Sequence, residues 1–409
     1  MNMIAKHRIW PGLLTVTALL LASCGGSAAT TAAPKGPVKI GISLALTGDF
    51  SGIGEGELQG YRLWQAYANA HGGLLGRKVQ LIITDDASDP NTAVANYENF
   101  ITRDHADLVF APPTTLLGAP AGLVAKRYDY VFPMAAGGAP LILDEKLNNF
   151  FLMQPAGPLD TGLVWAHYIL SLPKSERPKT VAYVALQDPF LDPATDLVKK
   201  AFASAGIKTV YYQIYGTEDQ QMQPIVAAIA ATHADMVVGG TNENDCFDIV
   251  KAMVAEHYNP KYLFFMNGPS YPVLFPKNVG SQNTAGIFTA VGWWPQEKTT
   301  GQSQFEAAYV KKYGGSRANI SPDAVEAYTV GQVIAEAVQK THSLSNPKLI
   351  SALHTGTWPS LQGPLTFGKD GLATQGLTLM EWIKGTLHSV YPKQDASHAP
   401  EIPKPAWVS

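Results

Sequence analysis

Four glycines, Gly52, Gly54, Gly56 and Gly60, follow the first apolar run of the chain closely enough to suggest a dinucleotide phosphate site. The Gly-x-Gly-x-x-Gly fingerprint fails in both registers, because its third glycine would fall on Glu57 or Gln59. No Gly-x-x-x-x-Gly-Lys-[Ser/Thr] phosphate loop occurs either. Gly268-Pro269-Ser270-Tyr271-Pro272 has the serine of a nucleophile elbow, yet Pro272 stands where the second glycine belongs and no histidine is assignable as its base. Asp85, Asp86 and Asp89 offer oxygens to a hard cation, but adjacent carboxylates on a strand end point to opposite faces and Asp89-Pro90 is equally a helix start, so capping is the favoured reading. The 10 histidines lack His-x-x-x-His spacing. Cys246, alone in the body of the chain, reads as a buried small hydrophobe. Nothing in these motifs specifies a reaction, so the chain reads as a non-enzyme with no catalytic residue, metal or cofactor.

The balance of 30 Lys and Arg against 33 Asp and Glu, a formal charge of −3, argues against a nucleic-acid surface. With 46% hydrophobic and 15% charged residues the chain is globular, and 409 residues exceed what one core usually organises. At the N-terminus Lys6, His7 and Arg8 precede an apolar stretch from Ile9 to Ala22, the length of a signal h-region and too short to span a bilayer. Leu21-Ala22-Ser23-Cys24 resembles the bacterial lipobox, which makes Cys24 the lipidation site; the alternative is a plain secretory peptide with an incidental cysteine. Residues 1–23 then form the signal and 24–37 a small-residue tether.

The body must position whatever site exists, and it alternates strands with helices. Val38 to Leu44 is a β-rich run, followed by Leu58, Tyr61, Trp64 and Ala68 at helical spacing. Val79 to Thr84 is the next strand, and Asp89-Pro90 opens a helix with Val94, Tyr97 and Ile101 on its apolar face. Further short strands are expected at Leu108 to Phe110, Tyr130 to Pro133, Thr180 to Leu186, Lys208 to Gln213, Met236 to Gly239 and Tyr262 to Met266. Ser321 with Pro322 starts a long helix marked by Ala324, Tyr328, Gly331, Ala335 and Val338. Such alternation predicts an α/β protein with parallel sheets covered on both faces.

Gly41-Ile42-Ser43-Leu44-Ala45-Leu46-Thr47-Gly48, Gly72-Gly73-Leu74-Leu75-Gly76-Arg77, Asp85-Asp86 through Asp89-Pro90, Pro133 through Ala136 and Gly363-Pro364-Leu365-Thr366-Phe367 occur in this order. Together they resemble the leucine/isoleucine/valine-binding family of solute-binding proteins of ABC importers. The resemblance implies a type I periplasmic binding protein: two doubly wound, Rossmann-like lobes joined by three crossover segments, near Gly157, Gly286 and Gly376, with a small ligand held between them. Lobe 1 is then 38–157 plus 287–376, lobe 2 is 158–286 plus 377–395, and 396–409 is a loose tail. The implied partners are the ligand, the permease subunits and the membrane reached through the lipid anchor. A sensory domain of the same fold, reporting to a receptor, is the rival reading, and an exported hydrolase dependent on Ser270 a third.

By that resemblance Thr114 takes the place of a carboxylate-holding serine, and Ala135 and Gly137 the places of backbone and hydroxyl contacts, with Gly137 lacking the hydroxyl. Pro113 neighbours this anion site, where the helix after a short strand presents free N–H groups. Phe50, Ile53, Phe190, Tyr271 and Trp293 are expected to line the cleft. Because Trp293 and Trp294 are adjacent on a strand end, one of them is expected to face the cleft or a partner. Pro158, Phe190, Thr241 and Ser270 occupy the places that hold an α-ammonium group, and none is acidic. Unless Asp160, Asp188, Glu243 or Asp323 supplies a charge, the expected ligand is a carboxylate without an amine, since a buried unpaired ammonium costs several kcal/mol.

Overall fold

β1 (Val38–Leu44) is a nearly uninterrupted buried strand, as expected of one covered on both faces. In this computed structural model, which describes residues 36–138, 147–157, 159–216, 221–295, 298–373 and 375–408, it pairs in parallel with β2 (Val79–Asp85) and with β3 (Leu108–Phe110). The signal, Cys24, most of the tether and Pro158 lie outside the described residues. β4 (Phe132–Met134) continues this layer through the Ala111 N–H to Pro133 carbonyl bond of 2.9 Å and pairs in parallel with β5 (Phe150–Leu152). The helices α1 (Ser51–Ala70), α2 (Pro90–Thr102) and α3 (Thr115–Arg127) follow β1, β2 and β3 in turn. Asp89 caps α2, its carboxylate accepting the Thr92 N–H at 2.7 Å. Asp85 and Asp86 are likewise engaged, Asp85 by the Leu46 and Thr47 N–H groups and Asp86 by the Ser43 hydroxyl.

The second sheet is built from β6 (Thr180–Leu186), β7 (Lys208–Tyr215), β8 (Met236–Gly240), β9 (Tyr262–Phe265), β10 (Ile287–Val291), β13 (Thr378–Ile383) and β14 (Thr386–Tyr391), in the order β14-β13-β10-β9-β8-β6-β7. Its pairings are parallel from β7 to β10 and antiparallel at β13 and β14. A small antiparallel pair, β11 (Thr357–Trp358) and β12 (Leu365–Thr366), belongs to the first lobe. The second sheet carries α4 (Asp160–Ser171), α5 (Leu191–Ser204), α6 (Met222–Ala231), α7 (Glu243–Ala255) and α8 (Leu274–Val279). The first lobe receives α9 (Gln302–Tyr313), α10 (Pro322–Thr341) and α11 (Asn346–Leu353). Each lobe has its own core: Tyr61 and Trp64 against Phe110 in the first, Trp165 stacked on Phe264 in the second.

Two expectations need correction. β10 hydrogen-bonds to β9 and β13, so residues 287–291 belong to the second sheet and the chain leaves that lobe at Gly292. Gly286, expected at a crossover, is instead the turn into β10, with φ +72 and packed against Lys404 and Pro405. The tail is also not loose. The Glu401 N–H reaches the Glu381 carboxylate, the Lys404 N–H bonds to the Lys261 carbonyl at 2.9 Å, and Trp407 Nε1 donates to the Tyr258 carbonyl at 2.8 Å.

Close approach of α1 and α10 fixes the first-lobe wall of the cleft. A Cβ on Gly60 would stand 2.1 Å from the Ala324 carbonyl oxygen, and one on Gly331 would stand 2.1 Å from the Trp64 ring. Only glycine at both points lets the two helices meet at this distance. Among the described residues no helix is long and apolar enough to cross a membrane.

Candidate ligand-binding cleft

The carboxyl ends of the strands of both sheets converge, and the N-termini of the following helices face a shared cavity of about 130 Å³. α1 contributes Phe50 and Ile53, α3 contributes Thr114 and Thr115, α5 contributes Phe190 and Leu191, α7 contributes Asn242 and Glu243, and α10 contributes Pro322, Asp323 and Glu326. Met266 and Leu377 complete an apolar surface. The lobes touch across this space. Tyr271 in the loop after β9 donates its hydroxyl to Asp323 Oδ1 at 3.5 Å, and a Cβ on Gly52 of α1 would lie 2.9 Å from Glu243 Oε1.

One end of the cavity suits an anion. Thr114 is the cap of α3, its Oγ1 accepting the Leu117 N–H at a long 3.4 Å, and no acceptor of its hydroxyl proton stands among the described residues. Ala136 and Gly137 lie beside it. Gly137 has φ +89, and a Cβ there would come within 2.9 Å of the Thr115 backbone nitrogen. Here the missing side chain is what allows the loop to approach the helix N-terminus, where N–H groups and the helix dipole favour negative charge.

The rest of the polar wall is acidic. Glu243 is the first helical residue of α7, whose cap Asn242 accepts the Asp245 N–H at 2.8 Å. It is only 4% exposed, its carboxylate takes its own backbone N–H and no side-chain donor among the described residues, and burial pushes the carboxyl up to about 7. Asp323 accepts the Ser321 hydroxyl at 3.0 Å and is pushed up to about 7, by burial first and then by the charge of Glu243. Ser321 thus bonds this carboxylate and leaves the helix N–H groups uncapped by its side chain. Glu326, one turn along α10, accepts from Gln154 Nε2 at 2.9 Å and rises to about 8 through burial and the nearby Asp323. Asp188 is partly committed, its Oδ1 taking the Phe190 and Leu191 N–H groups at 2.7 and 3.0 Å. Among the described lining residues there is no Lys, Arg or His, and no group of acids and histidines forms a metal site among the described residues.

Of the residues expected from the sequence, Phe50, Ile53, Pro113, Thr114, Gly137, Phe190, Ser270, Tyr271 and Asp323 all line this cavity. Ala135, Thr241 and Trp293 do not. Ala135 turns into the first-lobe core, and Ala136 takes its place. Thr241 is fully buried at the end of β8, one residue short of the cavity reached by Asn242. Trp293 packs edge-on against Phe305 at 6.4 Å in the first-lobe core and, with the half-buried Trp294, borders a separate surface hollow. The condition on which an amine-free ligand was expected is not met, because Asp188, Glu243 and Asp323 reach the cavity. Asp160 instead folds back on the Gly157 N–H at 3.0 Å. Gln154, Thr161, Asn267 and Glu326 were missed. Glu326 was accessible to reasoning, since it lies three residues from Asp323 on the same helix face.

The sequence from residue 37 to 386 matches the family model described as periplasmic binding protein. An amino acid binding protein of Pseudomonas aeruginosa is 23% identical over 86% of this chain and 92% of its own length. The Leu/Ile/Val-binding protein BraC3 of Rhizobium johnstonii is 24% identical over 92% of this chain and 98% of its own. Among solved structures, the branched-chain amino acid transporter substrate-binding protein LivJ of Streptococcus pneumoniae, in complex with isoleucine, superposes with a TM-score of 0.76 at 17% identity, covering 90% of this chain and 100% of that one. A solute-binding protein of an ABC transporter from Rhodopseudomonas palustris BisB5, in complex with 3,4-dihydroxy benzoic acid, gives 0.73 at 17% identity, covering 91% and 98%. With its two α/β lobes and the cleft between them, the chain belongs to the periplasmic binding protein family, among the proteins similar to the Leu/Ile/Val-binding proteins, and has their type I fold.

Proposed function

We propose that this protein is the lipid-anchored receptor of an ABC importer, tethered through Cys24, and that it captures a small ligand bearing an ammonium group. A carboxylate on the same ligand would sit at the N-terminus of α3, beside Thr114 and Gly137. The observation that carries this reading is the acidic, base-free wall of the cleft. A buried carboxylate and a buried ammonium group are each costly alone, and pairing them offsets much of both desolvation penalties. Relatives of this fold hold isoleucine, 3,4-dihydroxy benzoic acid and benzoate, so the fold accepts ligands with and without an amine, and Glu243 and Asp323 favour the amine here. Ser270 faces the cavity with no histidine beside it among the described lining residues.

A thermal-shift comparison of matched pairs tests this reading: leucine against 4-methylpentanoate and phenylalanine against 3-phenylpropanoate. A ligand at 100 times its dissociation constant adds about 2.7 kcal/mol to stability. The amine-bearing member of each pair is expected to give the larger shift, and Glu243→Gln to remove most of the difference. A larger shift from the amine-free acids would refute the assignment of the ammonium site.

A further inference from the structure

The cavity holds more acid than one ammonium group can offset. Asp188 and Glu243 come from the second lobe, and Asp323 and Glu326 from the first. Glu243 is 4% exposed and lines the cavity; its carboxylate takes its own backbone N–H, and among the described residues no side chain of opposite charge meets it. Glu326 receives a bond on Oε1 from Gln154, and Asp323 receives two hydroxyls and its own backbone N–H. One turn along α1 from Ile53, Glu57 is fully buried with both oxygens unpartnered among the described residues, and Asp323 and Glu326 are the charges that act on it most. Burial holds these carboxyls wholly or partly protonated near neutral pH, and each cationic group of a ligand would draw one of them into its charged form. A neutral zwitterion brings one such group, a net-cationic amine two.

Resting on the reading of the cleft as the ligand site, we propose that the ligand is a net-cationic amine, of the basic amino acid or diamine class, with one cationic group against Glu243 and Asp188 and a second against Asp323 and Glu326. Phe50, Ile53 and Met266 supply the apolar surface that a short methylene chain between two such groups requires. The acids stand on opposite lobes, so a ligand carrying two positive groups also links the lobes directly. Neutral amino acids have only one group to offer.

Titration calorimetry with arginine, ornithine, putrescine, leucine and benzoate tests the proposal on the intact mature protein. At least one of the first three is expected to bind tenfold or more tightly than leucine and benzoate. In Glu326→Gln and in Asp323→Asn the ratio of that affinity to the affinity for leucine should fall at least tenfold, with thermal melting used to confirm that each variant is folded. Tighter binding of leucine or benzoate, or a ratio unchanged in both folded variants, would overturn the second cationic subsite and leave the cleft as a ligand site. If none of the five probes bound, the reading of the cleft itself would fall, and the subsite with it.

Discussion

Glu243, Asp323 and Glu326 are single residues whose protonation couples the site to stability. Their carboxyls sit at about 7, 7 and 8, above ordinary values of 4.5, 3.8 and 4.5, chiefly because burial disfavours the charged form. The folded chain therefore binds more protons than the unfolded chain between about pH 4.5 and 8, and its stability falls as pH rises through that window. Glu57, which faces the same acids, and Glu381 under the tail act in the same direction. Lys404, lowered to about 7 by burial, acts in the opposite direction above pH 7. The ligand-free protein is accordingly expected to lose melting temperature from pH 5 to 7, with a shallower loss in Glu326→Gln; parallel profiles in differential scanning calorimetry would refute the coupling. At this scale the family resemblance pointed to Thr114 and Gly137, which line the cavity, and Thr114 was also legible as a helix cap. The resemblance was less informative about Thr241 and Ala135, where a shift of one residue along the backbone exchanges core for cavity.

At the scale of elements, α10 carries Asp323 and Glu326 and is held in place by its packing against α1. Gly331→Ala would put a methyl group 2.1 Å from a ring atom of the buried Trp64, and so is expected to destabilise the fold by about 1 to 3 kcal/mol. Urea denaturation measures this, and an unchanged midpoint would mean that the helices separate without cost. The strands β1, β3 and β6 were legible with their observed bounds, because fully buried parallel strands are short apolar runs bounded by helical patterns. β13 and β14 were not. The buried Glu381 interrupts the first, and His388 and Ser389 the second. Their turn is Lys384-Gly385, both with positive φ, and its first residue lacks the Asn or Asp signal that usually marks such a turn. β10 went unread because the approach to it, Gly286, resembled a crossover.

At the largest scale the described residues form two lobes that share a cleft, with the C-terminal segment bound to one of them. Lys404 is buried, its Nζ bonding Asn259 Oδ1 at 2.9 Å and lying 3.3 Å from the Trp407 ring centroid. Removal of residues 396–409 is thus expected to lower the stability of the second lobe by a few kcal/mol, from lost apolar burial and the exposed Tyr258 and Lys261 carbonyls. An unaltered denaturation curve would show the docking to be incidental. The fold class followed from the order of elements, whereas the acidity of the cleft came from residues dispersed between positions 188 and 326, which only the closed chain brings together. The most direct test is a crystal structure of the protein with whichever of leucine and arginine gives the larger thermal shift. The account predicts a ligand nitrogen within about 3.2 Å of the Glu243 or Asp323 carboxylate, and a ligand carboxylate at the N-terminus of α3. A ligand bound outside the cleft, or oriented with its carboxylate against Glu243, would contradict it.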